Sequence, residues 1–266
     1  MKLIDIHAHL ESSQFKKDLK EVIERAKKAG VTTIINSGVN RETNRETLKL
    51  SKEYEIIKCS FGIYPIDAIA KEIEFNGEEF PRDIKSFDVD EELDWIEKNK
   101  NSCVAIGEVG LDYNWPDFTK YKEKQIQIFE KTIILAKKID KPLIIHSRKA
   151  ELDAINILEK HKCKKVVMHC FSGKKSLIKR CFENGWFFSV PPVITRLEHF
   201  KMLAKIVPLK QILTETDAPY LSPIAGTRNE PANVTITIKE IAKIKNIDEE
   251  TIAEQIFNNT KALFNI

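Results

Sequence analysis

Eight short apolar runs recur along this 266-residue chain, each separated from the next by a longer amphipathic stretch. They are KLIDIH (2–7), VTTIIN (31–36), IIKCSFGI (56–63), CVAIGE (103–108), PLIIH (142–146), KVVMH (165–169), WFFSV (186–190) and ILTET (212–216). Each is rich in Val, Ile, Leu or Phe, the composition of parallel strands buried on both faces. The intervening stretches carry apolar residues at helical spacing. The one over 18–30 stops at Gly30, that over 120–140 stops before Pro142, and that over 175–185 stops at Gly185. Eight strands alternating with helices predict an α/β chain folded as a (β/α)8 TIM barrel. A doubly wound open sheet is the alternative, but no G-x-G-x-x-G follows the first run to support it. Residues 64–95 form a longer insertion after the third strand, and 231–266 supply the final helices. No linker-like segment divides the chain, so a single domain over 1–266 is expected.

A barrel of this kind builds its active site at the C-terminal ends of its strands. The first run ends at His7 and continues to His9, and alternation along a strand turns both imidazoles the same way. The fourth ends at Glu108, the fifth at His146, the sixth at His169, and the eighth leads into Asp217. Six potential metal ligands therefore fall at five strand ends on one rim, and they include four of the six histidines in the chain. Any one of them alone reads best as a hydrogen-bonded structural residue; their convergence is the signal. His161 and His199 fall in helical patterns and are expected on the surface. Asp5, one step deeper than His7, either orients a ligand imidazole or makes a buried structural hydrogen bond.

Four imidazoles and two carboxylates exceed the needs of one tetrahedral ion and suit two divalent ions bridged by a carboxylate. The mixed nitrogen and oxygen donors accommodate Zn or Mn, and Mg less comfortably. Such a pair activates water and stabilises charge on a phosphoryl or carbonyl oxygen.

Composition narrows the setting. With 43 basic and 40 acidic residues the net charge is +3, which neither requires nor forbids a nucleic-acid partner. The five cysteines form no C-x-x-C pair and read as reduced thiols, with Cys170 a secondary site candidate beside His169. The opening MKLIDIHAHLES is too short and polar for a signal peptide, and no apolar run approaches the roughly 18 residues of a membrane span. A cytoplasmic protein without membrane association is expected, with a monomer favoured.

Taken together, the motifs carry a resemblance. The chain resembles the TatD-type metal-dependent deoxyribonucleases, (β/α)8 members of the amidohydrolase-like group. The similarity runs from IDIHAHL near the start to NNTKALF at the end. Its specific stretches are GEVGLDY (107–113), KPLIIHSR (141–148), HCFSG (169–173), TETDAPYL (214–221) and RNEPANV (228–234). The resemblance implies that His7, His9, Glu108 and Asp217 surround one ion, and that Glu108, His146 and His169 surround a second, with Glu108 bridging. It implies Asp217 as the base for the attacking water, and cleavage of a DNA phosphodiester, 3′–5′ from single strands or frayed ends.

Arg148, just past His146, and Arg228, heading the RNEP loop, are candidate phosphate contacts; an ion pair between Arg228 and Glu230 is the structural alternative. Many family members carry G-I-H-P after the third strand, whereas this chain reads GIYPIDA, with Tyr64 in place of histidine. A tyrosine can donate a hydrogen bond to phosphate or stack on a base, but does not replace imidazole as a ligand. Asp112 and Tyr113 read as shaping the loop after Glu108. Tyr64, Tyr113, Trp115, Lys120 and Arg148 together favour a polyanionic, stackable substrate. Two alternatives stand beside the DNase: a metal-dependent hydrolase of a small amide, ester or phosphoester, and a non-catalytic nucleic-acid-binding protein. The complete ligand set argues against the latter.

Overall fold

The computed structural model describes residues 1–76, 85–114 and 118–266; Trp115 lies outside the described residues. Eight strands occur in chain order: β1 (Leu3–Ala8), β2 (Val31–Ser37), β3 (Ile57–Phe61), β4 (Cys103–Asp112), β5 (Leu143–Arg148), β6 (Val166–Met168), β7 (Phe187–Val190) and β8 (Ile212–Thr214). Each pairs in parallel with the next. The sheet closes on itself through the segment after β8. Ala8 bridges Ala218 in parallel, the Asp217 N–H donates to the His7 carbonyl (2.9 Å), and the His9 N–H donates to the Ala218 carbonyl (2.7 Å). This is the (β/α)8 barrel that the alternation predicts, and it excludes the open sheet.

The surrounding helices are α1 (Leu19–Lys28), α2 (Arg41–Glu53), α3 (Ala70–Phe75), α4 (Val89–Lys98), α5 (Lys122–Lys138), α6 (Glu151–Lys160), α7 (Lys175–Glu183), α8 (Glu198–Ile206), α9 (Val234–Lys245) and α10 (Glu249–Phe264). None among the described residues is long and apolar enough to cross a membrane. The insertion after β3 contains α3 and the start of α4. α1 shows why the sequence stops where it does. Val22, Ile23 and Ala26 make its buried stripe, and Gly30 follows at φ 93°, where a Cβ would come within 2.6 Å of the Met1 carbonyl oxygen. α2 begins in a capping box: the Asn40 side chain accepts from the Thr43 N–H, and the Thr43 hydroxyl accepts from the Asn40 N–H, both at 3.0 Å. Such a cap contributes about 1 kcal/mol.

Two apolar clusters build the interior. Ile4, Ile6, Ile35, Ala105, Ile144, Val167 and Leu213 fill the barrel itself, and Phe264 of α10 packs into the same cluster. A larger cluster, including Phe61, Phe129, Trp186 and Phe188, lies between strands and helices. With the barrel filled by side chains it is not a pore, and its polar chemistry is left to the rim.

The strands depart from expectation at places that shape the rim. β4 runs four residues past Glu108, to Asp112, because the backbone at 109–112 stays in register with β5 at 145–148. β8 stops at Thr214, which leaves Glu215, Thr216 and Asp217 beyond the strand. Along β1, simple alternation fails. Its register against β2 shifts between Asp5 and Ala8, Ile6 joins the inner cluster, and His7 still reaches the rim.

Candidate active site and metal centre

Glu108 stands at the middle of the rim, with its two carboxylate oxygens facing different histidine pairs. Oε2 lies 3.5 Å from His7 Nε2 and 3.4 Å from His9 Nε2, whereas Oε1 lies 2.8 Å from His146 Nδ1 and 3.8 Å from His169 Nε2. Asp217 closes the first group, with Oδ1 3.6 Å from His7 Nε2 and 3.4 Å from His9 Nε2. The donor atoms of His7, His9 and Glu108 all lie within 4.8 Å of one another, and so do those of Glu108, His146 and His169. All six predicted ligands thus come together at one place. Each group offers nitrogen and carboxylate oxygen donors that converge at distances an ion could span, a set that fits a divalent transition metal.

Outer partners fix the imidazoles. Ser37 serves two: its hydroxyl meets His7 Nδ1 at 3.1 Å and its carbonyl meets His9 Nδ1 at 2.9 Å. Glu215 Oε2 lies 2.6 Å from His169 Nδ1 and also accepts from the Ser189 hydroxyl at 2.7 Å. His7, His169 and Glu215 form a third group of donors within ligating reach. Because Glu215 is committed to His169 Nδ1, Ser189 and the Cys170 N–H (3.0 Å), it acts as an orienting partner for His169. At His146, Nε2 lies 3.0 Å from Asp112 Oδ2, and the same oxygen accepts from the Tyr64 hydroxyl at 2.6 Å. Asp112 also accepts from the Asn114 N–H (2.8 Å), so it shapes its loop as expected and in addition orients a site imidazole.

Asp5 resolves in favour of the structural hydrogen bond. It accepts from the His7 N–H (3.2 Å), the Thr216 N–H (2.9 Å) and the Thr216 hydroxyl, and so ties β1 to the segment carrying Asp217. Burial pushes its carboxyl up to about 8, against the pull of these bonds.

The electrostatics follow from the mutual burial of acids and imidazoles. Burial opposes charging Glu108, but His146, His7 and His9 outweigh it and hold the carboxyl well below its usual range. For Asp217, burial is outweighed in the same way, chiefly by His9 and His169. Burial opposes protonation of His169, yet Glu215 and Glu108 bring it up to about 9. Both carboxylates are therefore ionised at neutral pH, ready to serve as ligand or base. Cys170 is unsuited to thiolate chemistry: burial and then the nearby carboxylates push its thiol well above the usual range.

A glycine sets the place of Glu108. Asn44 brackets Gly62, accepting from its N–H (3.0 Å) and donating to its carbonyl (2.9 Å), which presses Gly62 onto the Glu108 backbone. A Cβ there would stand 2.4 Å from both Glu108 N and O. Gly62→Ala is expected to lose about 1–3 kcal/mol of stability through overpacking and to lower metal affinity with it. Thermal melting with and without metal checks this, and an unchanged melting temperature in both conditions contradicts it.

Of the other predicted residues, Arg148 ends β5 with an exposed side chain. Arg228 does not pair with Glu230. It donates to both carboxylate oxygens of Asp18 and to the Gln14 carbonyl, and its guanidinium lies 4.7 Å from the Phe15 ring centroid. Glu230 instead pairs with Arg25, whose Nη2 donates to it at 2.7 Å. Tyr113 donates to Asp153 (3.2 Å), and Lys120 Nζ lies 5.2 Å from the Tyr121 ring. His161 and His199 are outside the site but half-buried, held at Nε2 by Glu130 (3.1 Å) and by the Phe171 carbonyl (2.9 Å).

The family model for TatD-related DNase matches residues 4–265. The chain belongs to this family. Relatives within it include the human protein named deoxyribonuclease TATDN3, 36% identical over 267 residues that cover 98% of this chain and 94% of the relative. An Erwinia tasmaniensis relative named 3′–5′ ssDNA/RNA exonuclease TatD is 30% identical over 276 residues, covering 99% of this chain and 100% of the relative. The crystal structure of the TatD homologue YJJV from Escherichia coli superposes with a TM-score of 0.84 at 26% identity, covering 99% of this chain and 98% of that one. The match spans all six candidate ligands.

Sequence reasoning missed Ser37 and Glu215. Glu215 had a signal in the TETDAPYL motif, two residues before Asp217; Ser37, at the end of β2, had none beyond its strand-end position. Glu215→Gln keeps the shape but removes the charge that holds His169. Metal affinity is expected to fall roughly 10–100-fold. Competition with a chelator would measure it, and an affinity within twofold of the native protein would remove Glu215 from the site.

Proposed function

We propose that the protein is a metal-dependent deoxyribonuclease that hydrolyses DNA phosphodiester bonds at a site for two divalent ions, acting as a 3′–5′ exonuclease on single strands. The observation that carries this reading is the division of Glu108 between two histidine pairs, with one carboxylate oxygen toward each. His7, His9, Glu108 and Asp217 would hold one ion, and Glu108, His146 and His169 the other. When bound, the ions would supply Lewis-acid stabilisation for the attacking and leaving oxygens.

The chain's own residues do the rest. Asp217 accepts the proton of the attacking water as its oxygen bonds to phosphorus. The ester P–O bond opposite breaks, and the departing oxygen takes up a proton from Asp217 or solvent. Arg148, at the end of β5, holds a phosphate by its guanidinium. Arg228 has its charge met by Asp18 and braces the loop after β8 on this rim. Tyr64 has its hydroxyl committed to Asp112, so its ring is the surface that a base would meet.

The reading further takes residues 1–266 as one catalytic domain, working as a cytoplasmic monomer. Competition separates the substrate classes. With a chromogenic phosphodiester as reporter, single-stranded DNA should inhibit its hydrolysis competitively and be degraded itself. Hydrolysis of simple esters or amides that ignores added DNA would replace this reading with a small-molecule hydrolase. Metal analysis should return two ions per chain.

A further inference from the structure

A cavity of about 390 Å³ opens beside the metal ligands, walled by the loops that follow β1, β7 and β8. Its lining includes Gln14, Arg196, Tyr220, Ile224, Thr227 and Arg228. It adjoins the site directly: the Tyr220 N–H donates to the Asp217 carbonyl at 2.7 Å, and the Tyr220 ring stands 6.2 Å, centroid to centroid, from that of His9. This wall is on the His9 and Asp217 side of Glu108, opposite the side of His146, Tyr64 and Asp112.

Two features of the lining are unusual for a solvent-facing wall. Tyr220 is 54% exposed and Ile224 66%, two of the seven large hydrophobic side chains left exposed among the described residues. An exposed aromatic ring in edge contact with a site imidazole offers a flat stacking face. Against it stand two guanidinium groups. Arg196 spends one N–H on the Ser222 carbonyl (2.9 Å) and keeps others for a ligand. Arg228 is locked in place by Asp18. A stacking ring in a cavity of this size beside the ligand cluster matches one terminal nucleotide: a base for Tyr220 and Ile224, sugar oxygens for Arg196, and the phosphate toward Glu108. The volume lies at the lower end of the range that encloses a single ligand.

We propose that this cavity binds the terminal nucleotide of a single strand, with its base stacked on Tyr220, so that the scissile phosphate lies over Glu108 and the remaining strand leaves past Tyr64 and Arg148. The assignment rests on the nuclease reading and adds to it the residue that seats the terminal base. It also makes the cleaved nucleotide an inhibitor.

Calorimetric titration of the metal-loaded protein with deoxyadenosine monophosphate, and separately with inorganic phosphate, tests the cavity without depending on turnover. Tyr220→Ala is expected to weaken the mononucleotide about tenfold or more, the effect of losing one stacked base, while phosphate affinity moves less than twofold. Tyr220→Phe keeps the ring and should bind within twofold of the native protein, which also shows that the position tolerates change. Equal losses for both ligands, no loss with Tyr220→Ala, or a loss with Tyr220→Phe matching that of Ala would each overturn the assignment. Failure of the nuclease reading itself shows elsewhere, as a native protein that hydrolyses a chromogenic diester but leaves oligonucleotides intact.

Discussion

Replacing Glu108 with alanine should abolish turnover and empty both halves of the metal centre. No other side chain in the site faces all four histidines, and its two oxygens divide them into pairs. Without it, His7, His9, His146 and His169 crowd one another with no bridging charge, and the imidazoles lose the buried acid that favours their ordered arrangement. Loss of an outer partner at such sites costs roughly 10–100-fold, and removing the shared ligand should exceed that, with kcat/KM on DNA down by at least about 10³. Elemental analysis should find less than one ion per chain. Retention of two ions and a tenth of the native rate would show that Glu108 is not the bridge.

The second large effect belongs to Asp217→Asn. Asparagine preserves the size of the side chain at a position with left-handed backbone, φ 55°, which asparagine adopts as readily as aspartate. It cannot take a proton. The expected fall is in kcat, by roughly 10²–10⁴, the contribution of a positioned general base, with a smaller change in KM. The sign of the pH effect follows from the same group. As the proposed base Asp217 would have to be ionised, and its neighbours hold its carboxyl below the usual range, so this group should limit activity only as pH falls into acid. The asparagine variant should show no such acid limb attributable to this carboxyl. An unchanged kcat would move the base elsewhere, with Glu108 or a solvent path as the remaining choices.

Much of this architecture was legible in the sequence for a simple reason. Parallel strands buried on both faces must be continuous apolar runs, so a polar residue at the end of one marks the rim without knowledge of the neighbours. That logic located His7, Glu108, His146, His169 and Asp217 on one face of the barrel. It failed where position depends on contacts between strands. The reach of β4 to Asp112 is set by its pairing with β5, and nothing in residues 109–112 alone announces it. Glu215 and Ser37 earn their roles from rings on other strands. Spacing offers Arg228 a partner two residues away at Glu230, but the fold supplies Asp18, 210 positions distant, because the loop after β8 folds over the start of α1. His161 and His199 are half-buried and each meets an oxygen partner from another element, which a helical pattern does not disclose. The Tyr64 substitution was visible at once; its engagement with Asp112 and, through it, His146 was not.

One experiment reaches the core of the assignment. Protein stripped of metal is mixed with end-labelled single-stranded DNA; Mg, Mn or Zn is then restored separately, with His146→Ala run alongside at equal concentration. His146 lies 2.8 Å from one oxygen of Glu108 and belongs to only one of the two ligand groups, so its loss should disable the centre while leaving the barrel folded. The expected result is no cleavage without metal, a ladder shortening from one end when the right ion returns, and none in the variant. Cleavage that needs no metal, or a ladder of equal intensity from His146→Ala, would contradict the metal-dependent site described here.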